Sequence, residues 1–269
     1  MNTISILGCG WLGLPLAKRL ILQGFHVKGS TTTKSKLKLL EDNGIEPYRI
    51  VLEPNIKAKK IDNFLDTDFL VINIPPMRGE NIIEFYPAQI KSIIKTIEDS
   101  VIEKVVFVSS TSVYGNNNQI VTEESELNPE RNSGKALVIA EGLIRANIFF
   151  QTTIIRFGGL VGQSRHPGKF LTGRKNLSGT DTKVNLIHLD DCIEIITQII
   201  RKNLWGEIFN AAADEHPTKK ELYTKAALVL NLEPPTFSDK KDNYKIVSSE
   251  KLKLMLNYKF KFPNPLEMF

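Results

Sequence analysis

Three glycines near the N-terminus have the spacing of a phosphate-binding turn. Gly8, Gly10 and Gly13 form G-x-G-x-x-G within GCGWLG, between an apolar run at 3–7 and an amphipathic run at 11–23. In such a strand–turn–helix unit the first glycine permits the tight turn. The second lets a pyrophosphate approach the backbone, and the third lets the helix pack on the sheet. The loop, with its Trp11 and Leu12, therefore predicts a dinucleotide site, and the alternative is a purely structural glycine turn.

The residues after the next predicted strand, 25–29, indicate which dinucleotide would bind. An acid at this point would bind the ribose hydroxyls of NAD, but GSTTTKSK, residues 29–36, contains none, and the first acid is Glu41. Ser30, Thr31, Thr32, Lys34 and Lys36 instead offer hydroxyls and positive charge, which suit a 2′-phosphate. We expect NADP, with NAD as the alternative cofactor; a plain polar loop would need neither.

Strands and helices are predicted to alternate over the first 157 residues. The further strands are predicted at 68–74, 104–109 and 152–157, and the further helices at 34–41, 81–98 and 129–147. This alternation predicts an α/β protein of the Rossmann type, with a doubly wound parallel sheet covered by helices. Pro75 directly follows the 68–74 strand and is assigned to the cofactor site.

The pattern changes after residue 157. Residues 158–187 are rich in glycine and polar residues, and a helix from Asp190 to Lys202, a strand at 207–211 and a helix at 218–230 follow. We predict a dinucleotide-binding domain at 1–157. The remainder, 158–269, is predicted to form a smaller substrate-side lobe, partly interleaved with the first domain.

Composition narrows the class of protein. Of 269 residues, 42% are hydrophobic, enough for a sizeable core, and the net charge of +5 comes from lysines spread along the chain. Binders of nucleic acid concentrate such charge, so we expect solvated faces and no nucleic-acid partner. Two distant cysteines, Cys9 and Cys192, predict neither a metal site nor a disulfide framework. A cytoplasmic protein with a small-molecule substrate and no membrane contact is expected.

Four further stretches occur together in an order typical of one enzyme group. They are VVFVSSTSVYG (105–115), RNSGKALVIAE (131–141), IIRFGGLVG (154–162) and VNLIHLDDC (184–192). With them, the whole chain resembles the extended short-chain dehydrogenase/reductases, which include nucleotide-sugar epimerases and dehydratases. GCGWLG, NIPP, SRHPGK and IHLDD look most like an atypical branch, the YeeZ-like proteins. The resemblance implies a nicotinamide cofactor and hydride chemistry, and it leaves a homodimer open.

The resemblance also implies roles for single residues. Ser110, four residues before the tyrosine of VYG, matches the catalytic hydroxyl that hydrogen-bonds the reacting oxygen of the substrate. Lys135 matches the lysine that holds the nicotinamide ribose and lowers the pKa of a catalytic tyrosine. A hydroxyl satisfied at a strand end and an exposed helix lysine are the structural alternatives.

The catalytic tyrosine itself is missing, because its position is occupied by Arg131. Positions 131 and 135 share a helix face, but a guanidinium with a pKa above about 12 cannot exchange protons near neutral pH. Arg131 would instead bind a carboxylate or phosphate through its fork of donors, or it is a solvated surface arginine.

Other groups could take over the proton transfer or contact the substrate. They are Tyr86, Tyr114, Glu123, Glu124, His188, Arg165 and His166. Packing, surface and loop roles are the alternatives for each of them. We therefore expect an NADP-dependent oxidoreductase or epimerase-like enzyme acting on a small polar or anionic substrate. The alternative, which Arg131 favours, is a dinucleotide-binding sensor or scaffold without turnover.

Overall fold

The computed structural model describes residues 2–77, 79 and 81–269. Its strands are β1 Thr3–Leu7, β2 His26–Thr31, β3 Glu46–Arg49, β4 Val51–Leu52, β5 Ile56–Lys57, β6 Phe69–Ile72, β7 Lys104–Ser110, β8 Gln119–Val121, β9 Gln151–Phe157, β10 Gly159–Val161, β11 Leu186–His188, β12 Ile208–Ala211 and β13 Lys245–Val247. Its α-helices are α1 Gly13–Leu22, α2 Leu37–Glu41, α3 Ile61–Leu65, α4 Ile82–Glu98, α5 Asn132–Arg145, α6 Leu189–Arg201, α7 Lys219–Val229 and α8 Glu250–Leu256.

Seven strands form a parallel central sheet in the order β12-β9-β7-β6-β1-β2-β3. The register of β1 sets Ile4 beside Val27 of β2 on one side and beside Phe69 of β6 on the other. The middle strands are buried on both faces, as the run FLVI of β6 shows, because helices flank a parallel sheet. The predicted fold class, an α/β protein with a Rossmann-type parallel sheet, is confirmed.

Short elements with mixed composition escaped the sequence analysis. The edge strand β3 has the sequence EPYR, with two charged residues and Pro47 in four positions, so it lacks the apolar run of a central strand. An edge strand tolerates proline, because one side of its backbone has no neighbour to bond. Helix α3, residues 61–65, was also not predicted, and its Phe64 packs edge-on against Tyr48 of β3.

The chain divides into two compact units, and each contains several separate stretches. The first comprises 1–109, 131–155 and 195–208, and the second comprises 110–130, 156–194 and 209–269. The domain boundary after residue 157 stays a prediction. The chain passes from the first unit to the second at 155/156, and it also changes unit at both ends of 110–130 and of 195–208.

A buried carboxylate in the second unit connects the C-terminal segment to α6. Asp191 of IHLDD is fully buried, and its Oδ1 accepts hydrogen bonds from the Tyr258 hydroxyl at 2.6 Å and the Lys261 N–H at 2.7 Å. Its Oδ2 accepts from the Phe262 N–H at 3.2 Å. A buried carboxylate needs such donors, so Asp191 holds the C-terminal segment onto the start of α6.

The described residues contain neither a helix that could span a membrane nor a cluster of metal ligands. No described helix combines the length and the apolar character needed to cross a membrane. In the same part of the chain, no three histidine, cysteine, aspartate or glutamate side chains are grouped so that they would hold a metal ion.

Candidate functional site

The glycine loop after β1 is fixed by hydrogen bonds to the end of β2. The N–H of Cys9 donates to the carbonyl of Ser30 at 2.8 Å, and the N–H of Gly8 donates to the Ser30 hydroxyl oxygen at 2.9 Å. Gly8 has a φ of +108°, in the region that favours glycine. The loop therefore turns tightly against β2 before the chain enters α1.

The segment after β6 supports the loop from its other side. The Asn73 side-chain amide donates to the Gly8 carbonyl at 3.0 Å. A Cβ on Gly13 would lie 2.2 Å from the Gly8 carbonyl oxygen, so glycine is needed where α1 crosses the loop. The Tyr86 hydroxyl donates to the Ile74 carbonyl at 2.9 Å and holds the NIPP segment, in which Pro75 is exposed.

The second glycine faces a different environment. A Cβ on Gly10 would meet no heavy atom within 4 Å, and Gly10 is exposed. Open space at this position, together with the α1 N-terminus, which no side chain caps, fits the pyrophosphate of a dinucleotide. Trp11 is half-buried, whereas Leu12 is 3% exposed. The Leu12 side chain is therefore packed inside the fold and is not offered to a ligand.

The residues at the end of β2 are not equivalent. Ser30, which the sequence placed among hydroxyls for a 2′-phosphate, is 2% exposed, and its oxygen accepts from Gly8, so it shapes the loop from within. Thr31 is half-buried, and its Oγ1 accepts from the Thr33 N–H at 3.2 Å. Lys34 is exposed. The positive charge expected here thus remains available at Lys34.

A residue that the sequence analysis did not single out lies beside this strand end. Arg49, the last residue of β3, is in register with Thr31, and its Nε donates to the Thr32 carbonyl at 3.2 Å. A cavity of about 790 Å³ opens next to it. Its charged lining residues are Lys34, Arg49, Glu53, Lys57, Lys59 and Lys60. Arg49 could have been found from the sequence only if β3 had been predicted. The four residues of β3, EPYR, lack the apolar pattern by which a strand is predicted.

A second cavity, of about 650 Å³, lies at the amino ends of the strands. Its lining includes Thr3, His26 and Phe69, the first residues of β1, β2 and β6. In open α/β sheets ligands bind outside the carboxyl ends of the strands. Lys28, also in the lining, donates to the Asn63 and Asp66 carbonyls at 2.6 Å each, so two of its three N–H donors are already used. We assign no ligand to this cavity.

Helix α5 carries the two cationic residues of the expected catalytic pair. Arg131 is the N-cap residue with extended backbone, and Lys135 lies in the first turn; both are exposed. No side chain caps this helix start and no acid lies in its first turn. A buried bond of 2.6 Å from the Ser109 hydroxyl to Glu141 fixes α5 against the end of β7. The start of α5 therefore combines free N–H groups with permanent positive charge.

Ser110, the last residue of β7, belongs to the second unit. Its hydroxyl oxygen accepts the Ser112 N–H at 3.2 Å and caps the short 3₁₀ turn at 111–113. A hydroxyl both donates and accepts, so this bond leaves its proton for another acceptor.

The two tyrosines considered as substitutes for the missing one are both internal. Tyr86 is fully buried and donates to the Ile74 carbonyl, and burial raises its pKa. Tyr114 is 1% exposed; its hydroxyl donates to Asn210 at 2.8 Å and accepts from Arg156 at 2.6 Å. Their bonds and burial assign both to packing.

The two glutamates of the 122–126 loop differ in environment. Glu123 is half-buried, and its Oε1 accepts the Asn210 N–H at 2.7 Å. Burial raises the pKa of this carboxyl. Glu124 is exposed, and a hydrogen bond from the Thr122 side chain lowers its pKa. Of the two, Glu123 is the carboxyl whose pKa is moved towards neutrality, as a proton donor would need.

Two histidines of the second unit, His166 and His188, are held in place by local bonds. His188 Nδ1 accepts the Asp190 N–H at 3.2 Å, and its ring packs on Phe262 with centroids 4.0 Å apart. His166 Nδ1 accepts the Gly168 N–H at 3.0 Å. Burial lowers the pKa of both rings, which favours their neutral forms. Arg165, beside His166, is exposed.

Two solved structures share the architecture of this chain. A short-chain dehydrogenase/reductase superfamily protein from Agrobacterium tumefaciens, with bound NAD, has a TM-score of 0.80 at 17% identity and covers 99% of this chain and 94% of its own. A UDP-glucuronic acid 4-epimerase from Bacillus cereus, in complex with NAD, has a TM-score of 0.81 at 19% identity, with the same coverage. The chain therefore shares the fold of these two proteins, a short-chain dehydrogenase/reductase superfamily protein and a UDP-glucuronic acid 4-epimerase.

Sequence comparison shows the protein family to which the chain belongs. No family model matches the chain. The protein YeeZ of Escherichia coli K12 is 35% identical over 272 residues, which cover all of this chain and 99% of YeeZ. The chain belongs to the YeeZ family, so the resemblance expected from GCGWLG, NIPP, SRHPGK and IHLDD is confirmed.

Proposed function

We propose that the chain binds NADP(H) at the glycine loop and is an oxidoreductase or epimerase-like enzyme acting on a small polar or anionic substrate. The observation that carries the proposal is the open position at Gly10, within a loop that is otherwise closely braced. The absence of an acid between Thr31 and Lys36 supports a cofactor with a 2′-phosphate. The two solved structures contain NAD, so NAD is the alternative cofactor.

The chain's own groups would orient the reaction. When bound, the nicotinamide ring supplies or accepts a hydride. We assign the backbone of Gly10 to Leu12 and the first turn of α1 to the pyrophosphate, and Lys135 to the nicotinamide ribose. The Ser110 hydroxyl accepts a hydrogen bond from the Ser112 N–H, so its own O–H remains available as a donor. We assign this O–H to a hydrogen bond with the reacting oxygen of the substrate.

We assign Arg131 to an anion and not to proton transfer. The guanidinium keeps its charge at all relevant pH values, and its donors match the oxygens of a carboxylate or phosphate. The uncapped start of α5 adds to the attraction for an anion. Sugar nucleotides are the first substrates to test, because similar structures were solved with UDP-glucuronic acid and UDP-glucose.

A proton must still be moved by another group, and Glu123 is our candidate. It is the half-buried carboxyl whose pKa burial raises, whereas Tyr86 and Tyr114 already use their hydroxyls internally. The reaction would take place in the cytoplasm, where Cys9 and Cys192, both buried and free, stay reduced.

A sensor or scaffold that binds the dinucleotide without turnover is the second candidate. Arg131 favours it, because the group that normally exchanges the proton is absent from its position. A sensor would bind the cofactor through the same glycine loop, so binding by itself does not separate the two candidates.

Two measurements test the proposal. Titration of the protein with NADPH and NADH, by fluorescence or calorimetry, should show saturable binding; failure of both would overturn the cofactor assignment. The loaded protein is then incubated with UDP-sugars and small carbonyl compounds, and cofactor oxidation or substrate epimerisation is followed. Turnover of any substrate would remove the sensor candidate, and binding without turnover throughout the panel would favour it.

A further inference from the structure

We propose that Arg49, at the end of the edge strand β3, is the residue that selects a 2′-phosphorylated dinucleotide. The inference rests on the dinucleotide binding proposed above and identifies the side chain that would distinguish NADPH from NADH. The sequence by itself points to residues after β2, among them Ser30, Thr31 and Lys34, because β3 is not evident from its four residues.

The geometry of Arg49 matches a bidentate contact. Its Nε donates to the Thr32 carbonyl at 3.2 Å, which anchors the side chain to the turn after β2. Such a bond uses one of the five donors and keeps the terminal NH₂ groups of the planar fork for a second partner. A phosphate presents two oxygens at the spacing of this fork, whereas a ribose hydroxyl does not.

The sheet register places Arg49 beside the end of β2, where dinucleotide-binding folds contact the adenosine ribose. Ser30 contacts the glycine loop directly, and Thr31, the next residue, is in register with Arg49 on the neighbouring strand. In dinucleotide folds the residue at the end of the second strand contacts the adenosine ribose. In this chain no acid follows that strand before Glu41, so no carboxylate of the turn repels a phosphate there.

The hydroxyls of this strand end are less suited to the selection. Ser30 is buried and accepts from Gly8, and the Thr31 hydroxyl oxygen accepts from Thr33. These bonds hold the turn in shape. Arg49 and the exposed Lys34 are then the charged groups nearest in register and sequence to the ribose position.

The charge of the adjoining cavity favours a dianion. Five cationic residues and one carboxylate, Glu53, contribute to the lining of the cavity of about 790 Å³. Glu53 forms an ion pair with Lys57 at 2.7 Å, and this pair, more than Arg49, lowers the pKa of its carboxyl. The remaining positive charge attracts a phosphate monoester at long range, and Arg49 supplies the directed contact.

The test compares NADPH and NADH on one set of variants. Dissociation constants are measured by calorimetry or fluorescence for wild type, Arg49→Gln, Arg49→Lys and Lys34→Ala. Lys91→Ala is the control, since Lys91 is an exposed lysine of α4 that lines neither cavity described above. NADH binding serves as the internal check that each variant is folded.

We expect wild type to bind NADPH at least tenfold more tightly than NADH. Arg49→Gln should lose tenfold or more in NADPH affinity with less than a twofold change for NADH. Arg49→Lys should lie between the two, because it keeps the charge without the fork, and Lys91→Ala should behave as wild type. An unchanged NADPH/NADH ratio in Arg49→Gln, or an equal loss for both, would overturn the inference while leaving the proposed function intact. No binding of either dinucleotide by wild type would overturn the proposed function and the role of Arg49 together.

Discussion

Two helix starts in the first unit, before α1 and before α5, are alike in one respect and differ in another. Neither has a side-chain cap or an acid in its first turn, so both present free N–H groups. The chain reaches α1 through three glycines braced by Ser30 and Asn73, whereas it reaches α5 through the exposed Arg131. The first site is built from backbone geometry and the second from side-chain charge.

This difference separates the part of the site that is shared among dinucleotide folds from the part that sets the chemistry. A turn without Cβ atoms suits any pyrophosphate, and its requirements are steric. A charged side chain at a helix start can be exchanged without altering the fold, and a guanidinium at the proposed tyrosine position would not exchange protons near neutral pH. Substitutions before α1 should therefore change stability or dinucleotide binding through steric effects. Substitutions before α5 should change the binding of anions through charge.

The largest effect is expected at the closely packed end of the glycine loop. Gly13→Ala would place a Cβ 2.2 Å from the Gly8 carbonyl oxygen, which forces backbone movement. We expect a loss of about 3 kcal/mol in the free energy of unfolding, at the upper end for overpacking, together with loss of dinucleotide binding. Urea unfolding measures the first, and a stability equal to wild type would show that α1 does not need this close approach.

Gly10→Val should separate binding from stability. The added side chain enters open space, so the free energy of unfolding should change by no more than about 0.5 kcal/mol. It would occupy the space assigned to the pyrophosphate, and we expect NADPH affinity to fall about 100-fold, or about 2.8 kcal/mol. Calorimetric titration is the measurement, with unfolding by urea as the control. Wild-type affinity in the folded variant would remove the loop from the cofactor site.

The start of α5 should respond to charge and salt. Arg131→Ala should weaken anionic ligands by about 1.5–3 kcal/mol, the range for a hydrogen bond to a charged group, and the difference should shrink as salt is raised. Arg145→Ala, at the other end of the same helix, is the matched control. If Arg131→Ala binds each ligand as wild type does, Arg131 is a surface residue without a ligand.

Restoring the usual residue tests the same position in the opposite direction. Arg131→Tyr, with Lys135 one turn later, should create or raise ordinary carbonyl reductase activity if the remaining pocket is intact. Activity is followed as NADPH oxidation with the carbonyl panel, and Arg131→Phe is the control that lacks the hydroxyl. Equal rates for the tyrosine and phenylalanine variants would show that the hydroxyl takes no part.

The smallest effect concerns the pH dependence of stability at Glu123. Burial raises the folded-state pKa of this carboxyl above its ordinary value of 4.5, so the folded state binds the proton more tightly than the unfolded state. Stability from this group is full below pH 4.5 and is lost as the pH rises through the raised value. Glu123→Gln keeps an acceptor for the Asn210 N–H and removes the charge. Urea unfolding at pH 5 and pH 8 should show a smaller loss on going to pH 8 for the variant than for wild type, and parallel losses would contradict the assignment.

The sequence by itself determined the elements whose residues have strong local preferences. The G-x-G-x-x-G spacing and the apolar runs at β1, β6 and β7 predicted the parallel sheet, because glycine freedom and buried strands leave a pattern that needs no knowledge of distant contacts. The family was identified by the resemblance of GCGWLG, NIPP, SRHPGK and IHLDD. The resemblance also places Arg131 at the position of the family's tyrosine, four residues before Lys135, and this assignment stays a prediction. The helix around Arg131 was predicted at 129–147 and extends from Asn132 to Arg145.

Only the tertiary structure decided which polar side chains are buried and support the fold and which remain exposed. Ser30, Tyr86, Tyr114 and Asp191 are each buried with partners remote in sequence, and nothing in their local sequence gives those partners. Arg49 became a candidate because the four-residue strand β3 pairs with β2. The sequence of β3, with two charged residues and a proline, has little preference for a strand by itself. It forms a strand because it hydrogen-bonds to β2, so the position of Arg49 is fixed only when the sheet forms.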